Sequence, residues 1–138
     1  TAQQPRSIRR SAYDVELIDR ADNTWLVVLQ QTVHHMQNFH LGEKRTCGIL
    51  VSPAVMGDLQ AVMDTTILDR TVLDAAVSLV QDAKGLEFDY VIIADPVGMV
   101  EASPQGLNDL FVAMTRATQA LAIVHDGAVP YCLSDLVE

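Results

Sequence analysis

An α/β fold with a largely parallel sheet is what this 138-residue sequence predicts. Three observations carry the prediction. Short runs such as residues 46–51 (TCGILV), 90–94 (YVIIA) and 120–124 (ALAIV) are apolar at nearly every position, as strands buried on both faces are. Longer segments between them repeat their apolar residues at helical spacing. The two kinds alternate along the chain, the order expected when helices cover both faces of a sheet.

The elements follow in order. Residues 1–12 are polar and irregular and read as a linker or tail, with residues 13–138 as the folded domain. Alternation of Val15 and Leu17 with Asp14, Glu16 and Asp19 predicts a short strand near 14–18. From Asp22, the residues Trp25, Leu29, Val33, Met36 and Phe39 recur at helical spacing until Gly42. The buried strand 46–51 comes next. Ser52-Pro53 then supplies an N-cap and a first-turn proline to a helix lined by Val55, Leu59, Val62 and Met63. Residues 64–75 fit a short strand or a turn. Residues 77–81 (VSLVQ) predict a strand and residues 82–89 a loop around Lys84-Gly85, leading into the strand 90–94, which ends at Asp95-Pro96. Ser103-Pro104 opens a helix with Leu107, Leu110, Phe111 and Met114 as its apolar stripe. The strand 120–124, a turn at Gly127 and a tail complete the chain. In parallel sheets functional groups gather at the carboxyl ends of strands, which points to residues 81–87 and Asp95.

Composition bounds the function. With 49% hydrophobic and 20% charged residues the sequence is that of a globular domain, and at this length it buries roughly 65–70% of its unfolded surface. Nine basic residues face eighteen acidic ones, for a net charge of −9. Arg6, Arg9 and Arg10 sit in the first ten residues, which hold no acid, so residues 11–138 carry −12. Such a body repels phosphate backbones and is not a free DNA-binding module. Cys47 and Cys132 fit no metal-ligand spacing and read as free buried thiols in a reducing cytoplasm. No run is apolar enough to span a membrane and no signal peptide is visible, so a cytoplasmic location is expected. The opening Thr-Ala-Gln suggests a piece of a longer protein.

Several familiar sites are missing from the sequence: a GxxxxGK[ST] phosphate loop, a GxGxxG turn and a GxSxG elbow. His34, His35 and His40 lie on or beside one helix without partners at metal spacing, and adjacent helix positions point about 100° apart. They read as ordinary helix histidines. Two segments stand out instead. The first is AKGLEFD over residues 83–89, a Lys-Gly turn with a free carboxylate before a buried strand. The second is VAMTRA over residues 112–117, where Arg116 closes an amphipathic helix, anchored by Leu110, Phe111 and Met114. A fixed bidentate cation is what a transferring γ-phosphate needs, but each segment by itself reads first as an ordinary glycine turn or a dipole-stabilising arginine.

Together, in this order and about two dozen residues apart, the two segments resemble motifs V and VI of superfamily 1 helicases of the UvrD/Rep type. TCGILVSP resembles the start of the motif IV region of the same domain. The resemblance covers residues 46–125 well and the first 45 weakly. It implies a RecA-like domain of the P-loop NTPase type without the phosphate loop itself, the second of two motor lobes that bind ATP between them. In that family the first lobe holds the phosphate loop, the magnesium ligands and the catalytic base. By the resemblance, Arg116 is the arginine finger, Glu87 accepts from the nucleotide ribose, Gly85 allows close backbone approach, and Lys84 is either a ligand or a structural ion-pair partner. The implied cofactor is ATP with Mg, its metal ligands in the first lobe of the same parent chain.

DNA-translocating members read T-x-H-x-A-K-G-L-E-F, with the Thr and His near the nucleic-acid track. Here those positions are Leu79 and Gln81, and Asp82 adds a negative charge. Leu79, Gln81 and Thr115 are the candidate nucleic-acid-facing positions. The motif IV arginine has no counterpart in residues 51–59. Residues 94–96, 103–110 and 7–10 resemble the HelD branch, helicase-like ATPases that act on bacterial RNA polymerase, which would make RNA polymerase a partner of the parent. Nucleic acid is then a partner only through the parent. Two other readings stand beside this one: the same lobe of a DNA helicase or repair nuclease, and a non-catalytic α/β interaction domain.

Overall fold

The computed structural model describes residues 6–10, 13–39, 46–65, 76–130 and 133. Among the described residues, six strands form one sheet: β1 (Arg6–Arg10), β2 (Tyr13–Asp19), β3 (Cys47–Val51), β4 (Ala76–Ser78), β5 (Phe88–Ala94) and β6 (Ala117–His125). Their order across the sheet is β1-β2-β6-β5-β3-β4. Strands β2 to β6 are all parallel to their neighbours, and only β1 pairs antiparallel, with β2. The α-helices among the described residues are α1 (Trp25–Phe39), α2 (Pro53–Thr65), α3 (Pro96–Glu101) and α4 (Gly106–Met114). The sequence-predicted α/β sheet flanked by helices is present.

The apolar runs are buried on both faces because each strand alternates its side chains between two cores. Tyr90, Ile92 and Ala94 join α1 and α2 on one face, with Ile49, Val51, Ala122 and Val124. Val91 and Ile93 face the other way, packing with Met99 of α3, Leu110 and Ala113 of α4, and Leu121 and Ile123. A two-residue period on a central strand with helices on both sides leaves no polar position, which is why these strands read as continuous hydrophobic runs. Cys47 is a free, buried thiol in the first core, and burial pushes its pKa up to about 12. Cys132 lies outside the described residues.

The structure departs from the expected elements at several places, among them the start of α4, at Gly106 rather than Ser103-Pro104. Arg6–Arg10, in the stretch expected to be a tail, forms the antiparallel edge strand β1. The strand expected over 77–81 stops at Ser78, since β4 finds partners only at Gly48–Leu50 of β3. Val80 then turns into the core, and the amide of Asp82 donates to the Leu79 carbonyl at 3.0 Å, closing a 3-10 turn over Val80–Ala83. Asp95-Pro96, expected only to end a strand, also begins α3. The Asp95 carboxylate caps the Gly98 amide at 3.1 Å, and Pro96 occupies a first-turn position that needs no N–H. Finally, the expected stripe of α4 is split: Leu110 is fully buried, whereas Leu107 and Phe111 are 45% and 46% exposed. Phe111 therefore does not anchor Arg116. The ambiguous segment 64–75 lies outside the described residues from 66 onward, as does the expected helix end at Gly42.

Candidate functional site

The two motif segments meet at the amino ends of β5 and β6. Phe88 begins β5 opposite Ala117 of β6, and the Phe88 amide donates to the Arg116 carbonyl at 2.9 Å. The 3-10 turn packs against α4 on the same side of the sheet, so both approaches to this edge share one wall. Beside it, the Asp89 carboxylate accepts from the Thr46 amide at 2.9 Å and its hydroxyl at 3.2 Å, tying the start of β3 to β5. Gly48, one step into β3, is held free of a side chain by Phe88: a Cβ there would lie 2.6 Å from the Phe88 ring. The ring thus lies across β3 and fixes where the turn enters the strand.

The turn itself is Lys84 to Glu87. Gly85 has φ of +82°, the left-handed region, which explains the glycine in conformational terms. Among the described residues, none beyond its two chain neighbours has an atom within 4 Å of where its Cβ would be, so the space in front of it is open. The Leu86 amide returns to the Ala83 carbonyl at 3.0 Å, and the Leu86 side chain is 50% exposed. Lys84 and Glu87 are exposed, and neither makes an ion pair with a described residue.

Arg116 follows the C-cap of α4, Thr115, and is half-buried. Its Nε donates to the Val112 carbonyl at 3.3 Å, Nη1 to the Leu86 carbonyl at 3.5 Å and Nη2 to the Thr115 hydroxyl at 3.2 Å. A guanidinium near the last carbonyls of a helix is favoured by the unsatisfied acceptors and the negative end of the dipole. Among the described residues no carboxylate pairs with Arg116, and three of its five N–H donors are engaged. One donor on each terminal nitrogen remains for a group outside the domain.

The remaining candidates fall out differently. Gln81 is exposed on the 3-10 turn. Leu79 is half-buried against the α1–α2 core, so most of its side chain packs inside the domain. Thr115 is exposed, but its hydroxyl donates to the Val112 carbonyl at 2.7 Å and accepts from Arg116. Asp95, grouped by the sequence with residues 81–87, lies at the other end of β5, about 20 Å away at ~3.3 Å per strand residue. The carboxyl-end expectation is therefore corrected: the turn sits at the amino edge, because the crossover from the short β4 must run back to the start of the parallel strand β5.

The carboxyl edge is knitted to itself. Asp95, at φ of +65°, accepts from the Ser52 hydroxyl at 2.7 Å, and the Ser52 hydroxyl oxygen accepts from the Val55 amide at 3.2 Å, capping α2. Arg20 pairs with Asp126 at 3.1 Å and lies over the Trp25 ring, 4.8 Å from its centroid. His125 is buried nearby, with no described hydrogen-bond partner at Nδ1.

Fold and edge together define an α/β domain with a mainly parallel sheet that presents an arginine beside a Lys-Gly turn. Residues 74–124 match the model of the UvrD-like helicase C-terminal domain, a span that holds the 3-10 turn, the Lys-Gly turn and Arg116. The C-terminal domain of a possible DNA helicase from Lactobacillus plantarum WCFS1 has a similar structure, with a TM-score of 0.52 at 20% identity. The match covers 88% of this chain and 78% of that one. No curated protein matches the chain in sequence. Among the described residues, no helix is long and apolar enough to cross a membrane.

Proposed function

We propose that this chain is the second lobe of an ATP-driven helicase-like motor and completes an active site whose phosphate loop lies on another lobe. The observation that carries this reading is Arg116, bonded to the Lys-Gly turn and left with two uncommitted donors and no described carboxylate partner. ATP would supply the transferable phosphoryl group, with its magnesium held by the first lobe. This chain's residues would receive the nucleotide from the far side: Glu87 as an exposed acceptor for a ribose hydroxyl, the open backbone at Gly85 for close approach, and Arg116 for charge on the γ-phosphate. The exposed Leu86, whose carbonyl accepts from Arg116, adds apolar surface suited to docking that lobe.

The test is a reconstitution. The chain alone should not turn over ATP, and the same chain joined to its phosphate-loop lobe should. Replacing Arg116 by Ala in the joined protein should lower kcat about 10³-fold or more, with nucleotide affinity nearly unchanged. Turnover by the isolated chain, or an unchanged rate in Arg116→Ala, refutes the half-site.

For the parent's target we propose RNA polymerase, on the likeness of residues 94–96 and 103–110 to the HelD branch and on the acidic body. The packing of Leu79 into the core also favours a protein target over a DNA track. Action on DNA is the second reading, favoured by the description of the Lactobacillus plantarum protein as a possible DNA helicase. Pull-down of the parent by RNA polymerase, compared with binding to forked DNA across a salt series, separates the two.

A further inference from the structure

We propose that Thr115 is the positioning residue of this site and that its hydroxyl aims the Arg116 guanidinium. The inference rests on the arginine-finger reading above. Its basis is a short relay at the end of α4. The Thr115 hydroxyl has one proton, and the 2.7 Å bond to the Val112 carbonyl uses it. Only lone pairs are then left on Oγ1, so toward Arg116 the hydroxyl can act as an acceptor alone. Arg116 Nη2 donates to it at 3.2 Å.

The same Val112 carbonyl accepts from Arg116 Nε at 3.3 Å and from the Thr115 amide at 3.0 Å. Val112, Thr115 and Arg116 thus form a closed set that fixes the guanidinium plane at Nε and Nη2. The third contact, Nη1 to the Leu86 carbonyl at 3.5 Å, is long and contributes less to orientation. Without the Thr115 hydroxyl the planar fork keeps one good anchor, at Nε, and rotates about it. The two free donors then leave the direction in which they would meet an oxyanion. Lost alignment of a charged group acts on the transition state, so the effect falls on kcat rather than on ground-state binding.

This role differs from a nucleic-acid contact, the other use of an exposed threonine at this position. It also asks for a hydroxyl rather than a shape: Ser keeps the relay and Val removes it at nearly the same volume.

The experiment uses the chain joined to its phosphate-loop lobe and measures ATPase kinetics and thermal melting for Thr115→Val, Thr115→Ser, Arg116→Ala and the double variant Thr115→Val/Arg116→Ala. The expected result is a kcat about 10- to 100-fold lower in Thr115→Val, with KM for ATP and Tm nearly unchanged, and recovery in Thr115→Ser. In the Arg116→Ala background Thr115→Val should have no further effect, since the hydroxyl acts through the arginine. Equal rates for Val and Ser, or an additive loss in the double variant, overturn the positioning role while leaving the finger standing. Weaker nucleic-acid binding with an unchanged saturated kcat overturns it in favour of the nucleic-acid contact. An unchanged rate in Arg116→Ala overturns both this inference and the reading it rests on.

Discussion

Apart from Asp89, which ties β3 to β5 at the amino edge, the two ends of the sheet use their charged residues in opposite ways. At the carboxyl edge Asp95 bonds Ser52 and the Gly98 amide, and Arg20 bonds Asp126 and covers Trp25. At the amino edge Lys84 and Glu87 stand exposed without described ion-pair partners, and Arg116 is oriented by neutral oxygens while keeping free donors. A charged group paired inside its own domain stabilises that domain. A charged group held in place but left uncompensated is available to something outside it. The contrast separates residues that hold the fold from residues positioned for a partner.

Substitutions at the two edges should therefore separate stability from activity. The largest effect is expected from Arg116→Ala in the two-lobe protein, which lowers kcat by about three orders of magnitude. Its melting temperature should move little, since the side chain is half-buried and contacts only neutral oxygens. A melting loss as large as that of a carboxyl-edge variant would break the comparison.

Next is Asp95→Ala. It removes the acceptor for the Ser52 hydroxyl and the cap of α3, and it leaves alanine at a positive φ. A loss of about 1–3 kcal/mol is expected in urea unfolding, with kcat per folded molecule unchanged. Asp95→Asn keeps a capping oxygen and tolerates the left-handed conformation, so it should recover part of that loss.

Gly85→Ala should cost about 1 kcal/mol in the same measurement, because the left-handed backbone opposes it and no described residue beyond its two neighbours crowds the new methyl. A cost well above that would mean the turn is packed more tightly than its open surroundings imply. The smallest effect is expected for Asp126→Ala. Its ion pair with Arg20 is solvent-exposed, so the loss should be about 0–1 kcal/mol and shrink further at high salt.

Much of the fold was legible because burial on both faces imposes a composition. The strands at β3, β5 and β6 announced themselves as TCGILV, YVIIA and ALAIV, and Ser52-Pro53 marked the start of α2 where the Ser52 hydroxyl indeed caps the Val55 amide. Elements that depend on a distant partner were not legible. Arg6–Arg10 has a polar composition and is a strand only because β2 offers it an edge. Residues 79–81 have strand-forming side chains but no strand to pair with, so the chain turned there instead.

The candidate site divides along the same line. Residues 83–89 and 112–117 stand out by residue type, but only their joint resemblance to helicase motifs V and VI puts a functional reading ahead of an ordinary glycine turn and a helix-end arginine. That they form one edge, with the Phe88 amide on the Arg116 carbonyl, was decided by the pairing of β5 with β6. So was the end of the sheet on which they lie, because a parallel sheet requires each crossover to return to the starting edge. The tertiary structure also moved Asp95 from the candidate site to the frame, whereas the bond between Thr115 and Arg116 is local to the end of α4. Residue types, and the periods at which they recur, are local properties and survive in one dimension. Which polar groups satisfy one another, and which are left with donors to spare, depends on contacts between distant segments and exists only once the chain has folded.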